Sequence, residues 1–136
     1  MKLSKLYELA VKYGIQQDPR GKNISEYFLN IKKEYRKLKG IERATFDKEA
    51  LKNPFSDTRV LYGNPESEIK KILVGIDIET AEILLADRIR EREGLDLALS
   101  HHPEGIAYAG LSEVMPVQGY ILNKLGLHKD AVSDSL

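Results

Sequence analysis

The feature that most constrains the fold is an almost continuous β-branched and aliphatic run at residues 72–78. Continuous apolar character without alternation predicts a β-strand that is covered on both faces. A helix is predicted over Thr80–Glu93, with Thr80 or Asp77 as its N-cap. A second strand is predicted at residues 95–100. The order strand, helix, strand predicts a right-handed crossover and a parallel pairing of the two strands.

The part of the chain before residue 57 has a helical pattern. Apolar residues recur at helical spacing over residues 3–13, and Gly14 is the predicted stop. A second helix is predicted over residues 25–39 and a short third helix over residues 46–51. These three helices indicate an N-terminal segment without strands.

Two further elements complete the predicted core. A short strand is expected at residues 59–63, and a helix at residues 111–125 with Pro116 in its first turn or kinking it. The predicted fold class is therefore α/β, with a mixed or mainly parallel sheet and flanking helices. We expect residues 1–56 to form a helical segment packed on this core of residues 57–136.

Composition and charge narrow the classes of partner. The 136 residues include 21 Lys and Arg and 21 Asp and Glu, so the net charge is zero and gives no overall attraction to nucleic acid or to an anionic membrane. No apolar run approaches the roughly 18 residues of a membrane span. The chain has no cysteine, which excludes disulfides and thiolate metal ligands, and we expect a cytoplasmic location.

The second predicted helix carries a run of basic side chains. A nucleic-acid or phosphate-binding surface is one interpretation of such a run. A solvated helix face is favoured, because acidic residues bracket the run and Tyr27, Phe28 and Tyr35 have the spacing of a core face. The basic residues are Lys32, Lys33, Arg36, Lys37 and Lys39.

The adjacent pair His101 and His102 is the strongest candidate for chemistry. In open α/β sheets ligands bind beyond the carboxyl ends of the strands, and both histidines directly follow the second predicted strand. Adjacent residues of a regular strand point to opposite faces, but Pro103 takes the backbone out of strand geometry, so both imidazoles can turn to one cleft. Imidazole is the commonest metal ligand in proteins, which makes the pair a candidate metal site.

Two carboxylates are predicted near the histidine pair. Asp77 ends the neighbouring strand and could accept a hydrogen bond from a histidine, ligate the metal, or cap the following helix. Glu104 could be a ligand, a general base acting on metal-bound water, or a surface carboxylate. The histidines could instead form a hydrogen-bonded pair that shapes the loop, and the third histidine, His128, is expected to be solvated.

Three segments, in this order, resemble the GTP cyclohydrolase 1 type 2 homologue family, the NIF-three-like dinuclear metal proteins. They are residues 57–66 (DTRVLYGNPE), residues 72–77 (ILVGID) and residues 96–103 (DLALSHHP). The family has an Asp-Asn-x-Gly-Leu-x-x-Gly segment, a strand ending in Asp and an Ile-Ile-x-His-His-Pro strand end at about these separations. The resemblance implies two related α/β halves, a homo-oligomer that is commonly hexameric, and two divalent ions (zinc, iron or manganese) per complete site.

The resemblance accounts for only part of the family's ligand set. Its His-His pair maps onto His101 and His102, and its Asp ligand onto Asp134, which lacks the family's His-Thr-Asn-Leu flank. The family's C-terminal His and Glu ligands have no counterpart in the chain. We therefore expect the N-terminal half of a longer protein, with residues 16–53 as an added helical element, or a degenerate member.

Two functions follow as expectations. The first, implied by the resemblance, is a metal-dependent hydrolase of a nucleotide or a related small molecule, with Glu104 as the catalytic base. The second is a non-catalytic, oligomeric metal-binding or regulatory scaffold, which the incomplete ligand set favours.

Overall fold

The structure is a computed structural model that describes residues 1–21, 23–128 and 131–132. Two parallel strands and several helices make a small α/β fold, and a short 3-10 helix lies at Lys48–Leu51. The α/β class and the parallel pairing are as predicted. The labelled elements are α1 (Leu3–Gln17), α2 (Asn23–Lys37), α3 (Gly40–Thr45), β1 (Ile72–Gly75), α4 (Thr80–Glu93), β2 (Leu97–Ser100), α5 (Gly105–Ala109), α6 (Leu111–Val114) and α7 (Pro116–Lys124).

The chain divides into two compact units, which we call the sheet unit and the helical unit. The sheet unit is Met1–Ala10 with Asp57–Leu111, and the helical unit is Val11–Ser56 with Ser112–Leu136. One of these divisions falls between residues 56 and 57. Residues 1–10 belong to the sheet unit, and residues 112–128 belong to the helical unit.

Backbone pairing explains why the first residues belong to the sheet unit. Lys2 forms an isolated antiparallel bridge with Glu68. The Leu3 N–H donates to the Ser67 carbonyl at 2.9 Å, and the Ile69 N–H donates to the Met1 carbonyl at 2.7 Å. Leu3 and Ile69 are both buried, so this pairing also anchors part of the apolar core of the unit.

The sequence predicts that the strands are covered on both faces, and this prediction is wrong. Val74 is 65% exposed, Ile76 63% and Leu99 47%. Val74 and Leu99 are partners in the parallel register, so their side chains share one face of the sheet. That face is exposed because neither α4 nor α5 packs extensively against the strands.

Several element bounds differ from the predicted ones. Gly14 does not stop α1, which continues to Gln17; a Cβ at Gly14 would lie 2.7 Å from the ring of Phe55, so the glycine permits close packing instead. The second helix begins and ends two residues earlier than predicted, at Asn23–Lys37. The predicted third helix is replaced by α3 and the 3-10 helix.

Among the elements after residue 56, one predicted strand is absent and one predicted helix has the bounds that the sequence gives. Residues 59–63 form no strand, because Gly63 turns the backbone with a φ of 120° and Tyr62 is 96% exposed. The bounds of α4 are those predicted, and Gly94, with a φ of 71°, ends it. Pro116 divides the last predicted helix into α6 and α7 and occupies the first turn of α7.

In the part of the chain that the structure describes, no helix combines the length and the apolar character needed to cross a membrane.

Candidate metal site

The histidine pair lies at the carboxyl end of the parallel strands. The register of the two strands ends with Gly75 opposite Ser100. Hydrogen bonding continues beyond it, because the His101 N–H donates to the Gly75 carbonyl at 2.9 Å and the His102 N–H to the Ile76 carbonyl at 2.8 Å. The backbone of both histidines is therefore held by the neighbouring strand segment.

The two imidazole rings lie close together on the protein surface. Their centroids are 5.3 Å apart and their planes are inclined by 35°. The backbone bends at His101 and His102, directly before Pro103, and both side chains are exposed. The bend brings together two rings that a regular strand would direct to opposite faces, as the sequence predicts.

Asp77 contacts His102 and does not cap the helix that follows. Its Oδ1 atom lies 2.7 Å from Nδ1 of His102. The N-cap of α4 is Glu79, whose backbone N–H donates to the Glu82 carboxylate at 3.1 Å. The prediction of Thr80 or Asp77 as the cap is therefore wrong, because the chain uses residues 77–79 to turn from the strand into the helix.

The contact between Asp77 and His102 orients the ring more than it stabilises the fold. The side chains are 63% and 57% exposed, and ion pairs between exposed groups contribute little to stability. When the carboxylate accepts a hydrogen bond from Nδ1–H, the lone pair on Nε2 remains available and faces away from the carboxylate. Histidines that ligate metals usually have such an orienting carboxylate or carbonyl behind them.

The Ser100 side chain adds a further hydrogen bond between the ends of the strands. Its hydroxyl donates to the Ile76 carbonyl at 3.1 Å, and the same carbonyl accepts the N–H of His102. The Ser100 side chain therefore holds the segment that leads from β1 to Asp77. A hydroxyl residue at the last position of a strand is the sequence signal for this contact.

Glu104 lies near the pair in sequence, but its contacts are structural. It is the N-cap of α5, and its carbonyl accepts the N–H of Ala107 at 3.0 Å. Among the described residues, the Glu104 carboxylate makes no hydrogen bond with either ring. Asp134 lies outside the described residues, and His128 is exposed.

The described residues bring two imidazole rings and one carboxylate close together. Over residues 1–21, 23–128 and 131–132, no group of three or more His, Asp or Glu side chains is arranged to hold a metal ion. His101 and His102 offer two ring nitrogens, and Asp77 is already hydrogen-bonded to His102. A catalytic zinc site takes about three protein ligands, which is more than His101 and His102 supply by themselves.

Comparison of the chain with protein-family models, with curated proteins and with solved structures finds no match. The resemblance to the GTP cyclohydrolase 1 type 2 homologue family therefore depends on its three sequence segments.

Proposed function

We propose that this chain binds a divalent metal ion through His101 and His102, and that Asp77 orients the ring of His102. The observation that carries the proposal is the 2.7 Å contact between Asp77 Oδ1 and His102 Nδ1. It occurs at the carboxyl end of two parallel strands, where open α/β sheets bind their ligands.

The two histidines have complementary parts in this proposal. The Nδ1 atom of His102 is engaged by Asp77, which leaves its Nε2 atom as the ligand. The His101 ring, with its centroid 5.3 Å from that of His102, supplies the second nitrogen from the same side of the loop. Both rings are exposed, so an ion from solvent reaches them without any opening of the fold.

The wider proposal is membership of the GTP cyclohydrolase 1 type 2 homologue family, with hydrolysis of a nucleotide or a related small molecule as the reaction. Two ions of zinc, iron or manganese per complete site would supply Lewis-acid activation of the substrate. Glu104, two positions after His102, is the proposed general base, and Asp134 a proposed further ligand.

The contacts of Glu104 favour the second candidate function, a non-catalytic, homo-oligomeric metal-binding scaffold. The Glu104 carbonyl accepts a backbone N–H of α5. In the described part of the chain, the Glu104 carboxylate has no hydrogen bond to either imidazole. A general base for hydrolysis needs hydrogen-bond reach of the attacking water. In the scaffold function the metal organises a surface and no proton is transferred.

Metal content and hydrolysis together test the proposal. The purified chain is dialysed against Zn²⁺ or Mn²⁺, and bound metal per chain is measured by mass spectrometry for the unchanged protein and for His101→Ala, His102→Ala and the control His128→Ala. Loss of metal in the first two variants alone supports the site, and unchanged metal in both contradicts it. Release of product from GTP by the metal-loaded chain, abolished in Glu104→Gln, would distinguish the enzyme from the scaffold.

A further inference from the structure

A second candidate for binding is an apolar groove in the helical unit, which we call the α2 groove. Its volume is about 520 Å³, and it is shallow and widely open to solvent. Its lining includes Ile15, Phe28, Leu29, Leu51, Lys32 and Lys52.

One wall of the α2 groove is a stripe along a single helix. Lys32 stands four positions after Phe28 and three after Leu29 on α2, so its side chain lies on the same side of the helix as theirs. The lining also includes Leu51, the last residue of the 3-10 helix, and the following Lys52. Leu29 is 59% exposed, which leaves apolar surface of the groove uncovered.

The two lysines give the groove an unneutralised positive rim. Within the described residues, neither the Lys32 nor the Lys52 ammonium has a carboxylate partner. Elsewhere on α2 the Lys37 ammonium is paired with Glu34 at 2.6 Å. Apolar side chains together with two cations that have no carboxylate partner are complementary to a ligand that is apolar on one face and acidic beside it.

We propose that the α2 groove binds the apolar face of an acidic amphipathic helix from a partner protein. A helix lying in a groove keeps its polar face in solvent, which matches a groove that is widely open to solvent. Glutamate or aspartate side chains flanking its apolar stripe would pair with Lys32 and Lys52. A lipid acyl chain fits less well, because small ligands bury most of their surface in an enclosed pocket.

A synthetic helix tests this proposal directly. The probe is a fluorescein-labelled peptide with leucines at i, i+3, i+4 and i+7 and glutamates on its other face, and its binding to the full chain is followed by fluorescence anisotropy. We expect saturable binding that weakens with salt. A peptide of the same composition with the leucines scattered around the helix should not bind.

Three variants of the chain locate the binding. Leu29→Glu and the double variant Lys32→Glu with Lys52→Glu should each weaken binding by about tenfold or more, as loss of an interface hot spot does. Ile41→Glu, at a residue of α3 that is 81% exposed and outside the groove, should leave binding unchanged. Circular dichroism checks folding, and the lysine variant remains informative if Leu29→Glu does not fold, because both lysines are exposed.

Several results would overturn the proposal. These are no binding of the leucine-striped peptide, equal binding of the scattered peptide, or unchanged affinity in the lysine variant. Vesicles of phosphatidylglycerol and phosphatidylcholine form the last arm: binding to vesicles without binding to the peptide would assign the groove to a membrane surface instead.

Discussion

Asp77 and His102 are separated by 25 positions in the chain, yet Asp77 Oδ1 and His102 Nδ1 lie 2.7 Å apart. The helix α4 and the strand β2 lie between them in sequence, so the contact exists only because the two strands are parallel. The N–H of His102 donates to the carbonyl of Ile76, the residue before Asp77. The register that aligns the two backbones therefore also brings the two side chains together. A slip of one residue would separate the ring from the carboxylate.

Asp77→Asn should weaken metal binding by roughly 10–100-fold, the usual effect of removing an orienting carboxylate behind a histidine ligand. The fold should be unaffected, because both side chains of the contact are more than half exposed. Titration calorimetry with Zn²⁺ measures the affinity. Asp87→Asn is the matched control, because Asp87 pairs with Arg90 at 2.8 Å on the exposed side of α4. Equal affinities of the two variants would contradict an orienting role for Asp77.

Asp18→Asn should lower the free energy of unfolding by roughly 1–3 kcal/mol at neutral pH. The Asp18 side chain is 1% exposed and its Oδ2 lies 2.7 Å from Nη2 of Arg20. Burial acts to raise the pKa of Asp18, but hydrogen bonds from the Arg20 side chain and backbone outweigh it and leave that pKa below its ordinary value. Denaturation by urea, with Asp87→Asn as the exposed control, measures the loss.

The pH dependence of this difference has a definite sign. Because the folded-state pKa of Asp18 lies below its unfolded value near 3.8, the ionised carboxylate stabilises the fold above that pH. The stabilisation is lost as the pH falls through the folded-state pKa. The stabilities of the unchanged protein and of Asp18→Asn should therefore converge below about pH 3.8, and a difference that stays constant with pH would contradict the ion pair.

Asp96→Ala should speed hydrogen exchange of two backbone amides at the amino end of the strands. The Asp96 Oδ2 atom accepts the N–H groups of Lys71 and Lys70, both at 2.8 Å, and these bonds hold the pKa of Asp96 below its ordinary value. The amide of His102, at the other end of the strand pair, is the internal control and should exchange at an unchanged rate. Unaltered protection of the two lysine amides would contradict this role.

Val74→Lys tests the exposed face of the sheet. Because Val74 is 65% exposed, the substitution should change the free energy of unfolding by no more than about 0.5 kcal/mol. Ile69→Lys, at a residue that is 7% exposed in the same unit, should cost at least about 2 kcal/mol. Equal and large losses measured by denaturation with urea would show instead that β1 is covered, as its sequence predicts.

The sequence was sufficient to predict the strands, the helix and the chain bend that position the histidine pair. Gly94 ends α4 with a positive φ, and the strand–helix–strand order predicts the parallel pairing that is observed. Pro103 correctly indicates that the backbone leaves strand geometry beside His102. The glycine and the proline each act within a few residues of their effect, whereas the strand order acts over the whole of residues 72–100.

Features that depend on distant parts of the chain were not predictable in the same way. Apolar continuity cannot tell whether a second layer covers Val74, because coverage depends on where the helices pack. Gly14 has the signature of a helix stop, and only the position of Phe55 shows that the glycine makes room for a ring. Proximity of Asp77 to His102 follows from the strand ends, but only the structure shows that its carboxylate contacts the His102 ring and does not cap α4.

The most direct test of the proposed metal site is a titration of the ¹⁵N-histidine-labelled chain with Zn²⁺, followed by long-range ¹H–¹⁵N correlation of the imidazole nitrogens. We predict that Nε2 of His102 and one nitrogen of His101 shift on binding as metal-bound nitrogens, that Nδ1 of His102, which contacts Asp77, does not, and that His128 does not shift. Unshifted nitrogens in both His101 and His102 at saturating Zn²⁺, or shifts confined to His128, would contradict the metal site.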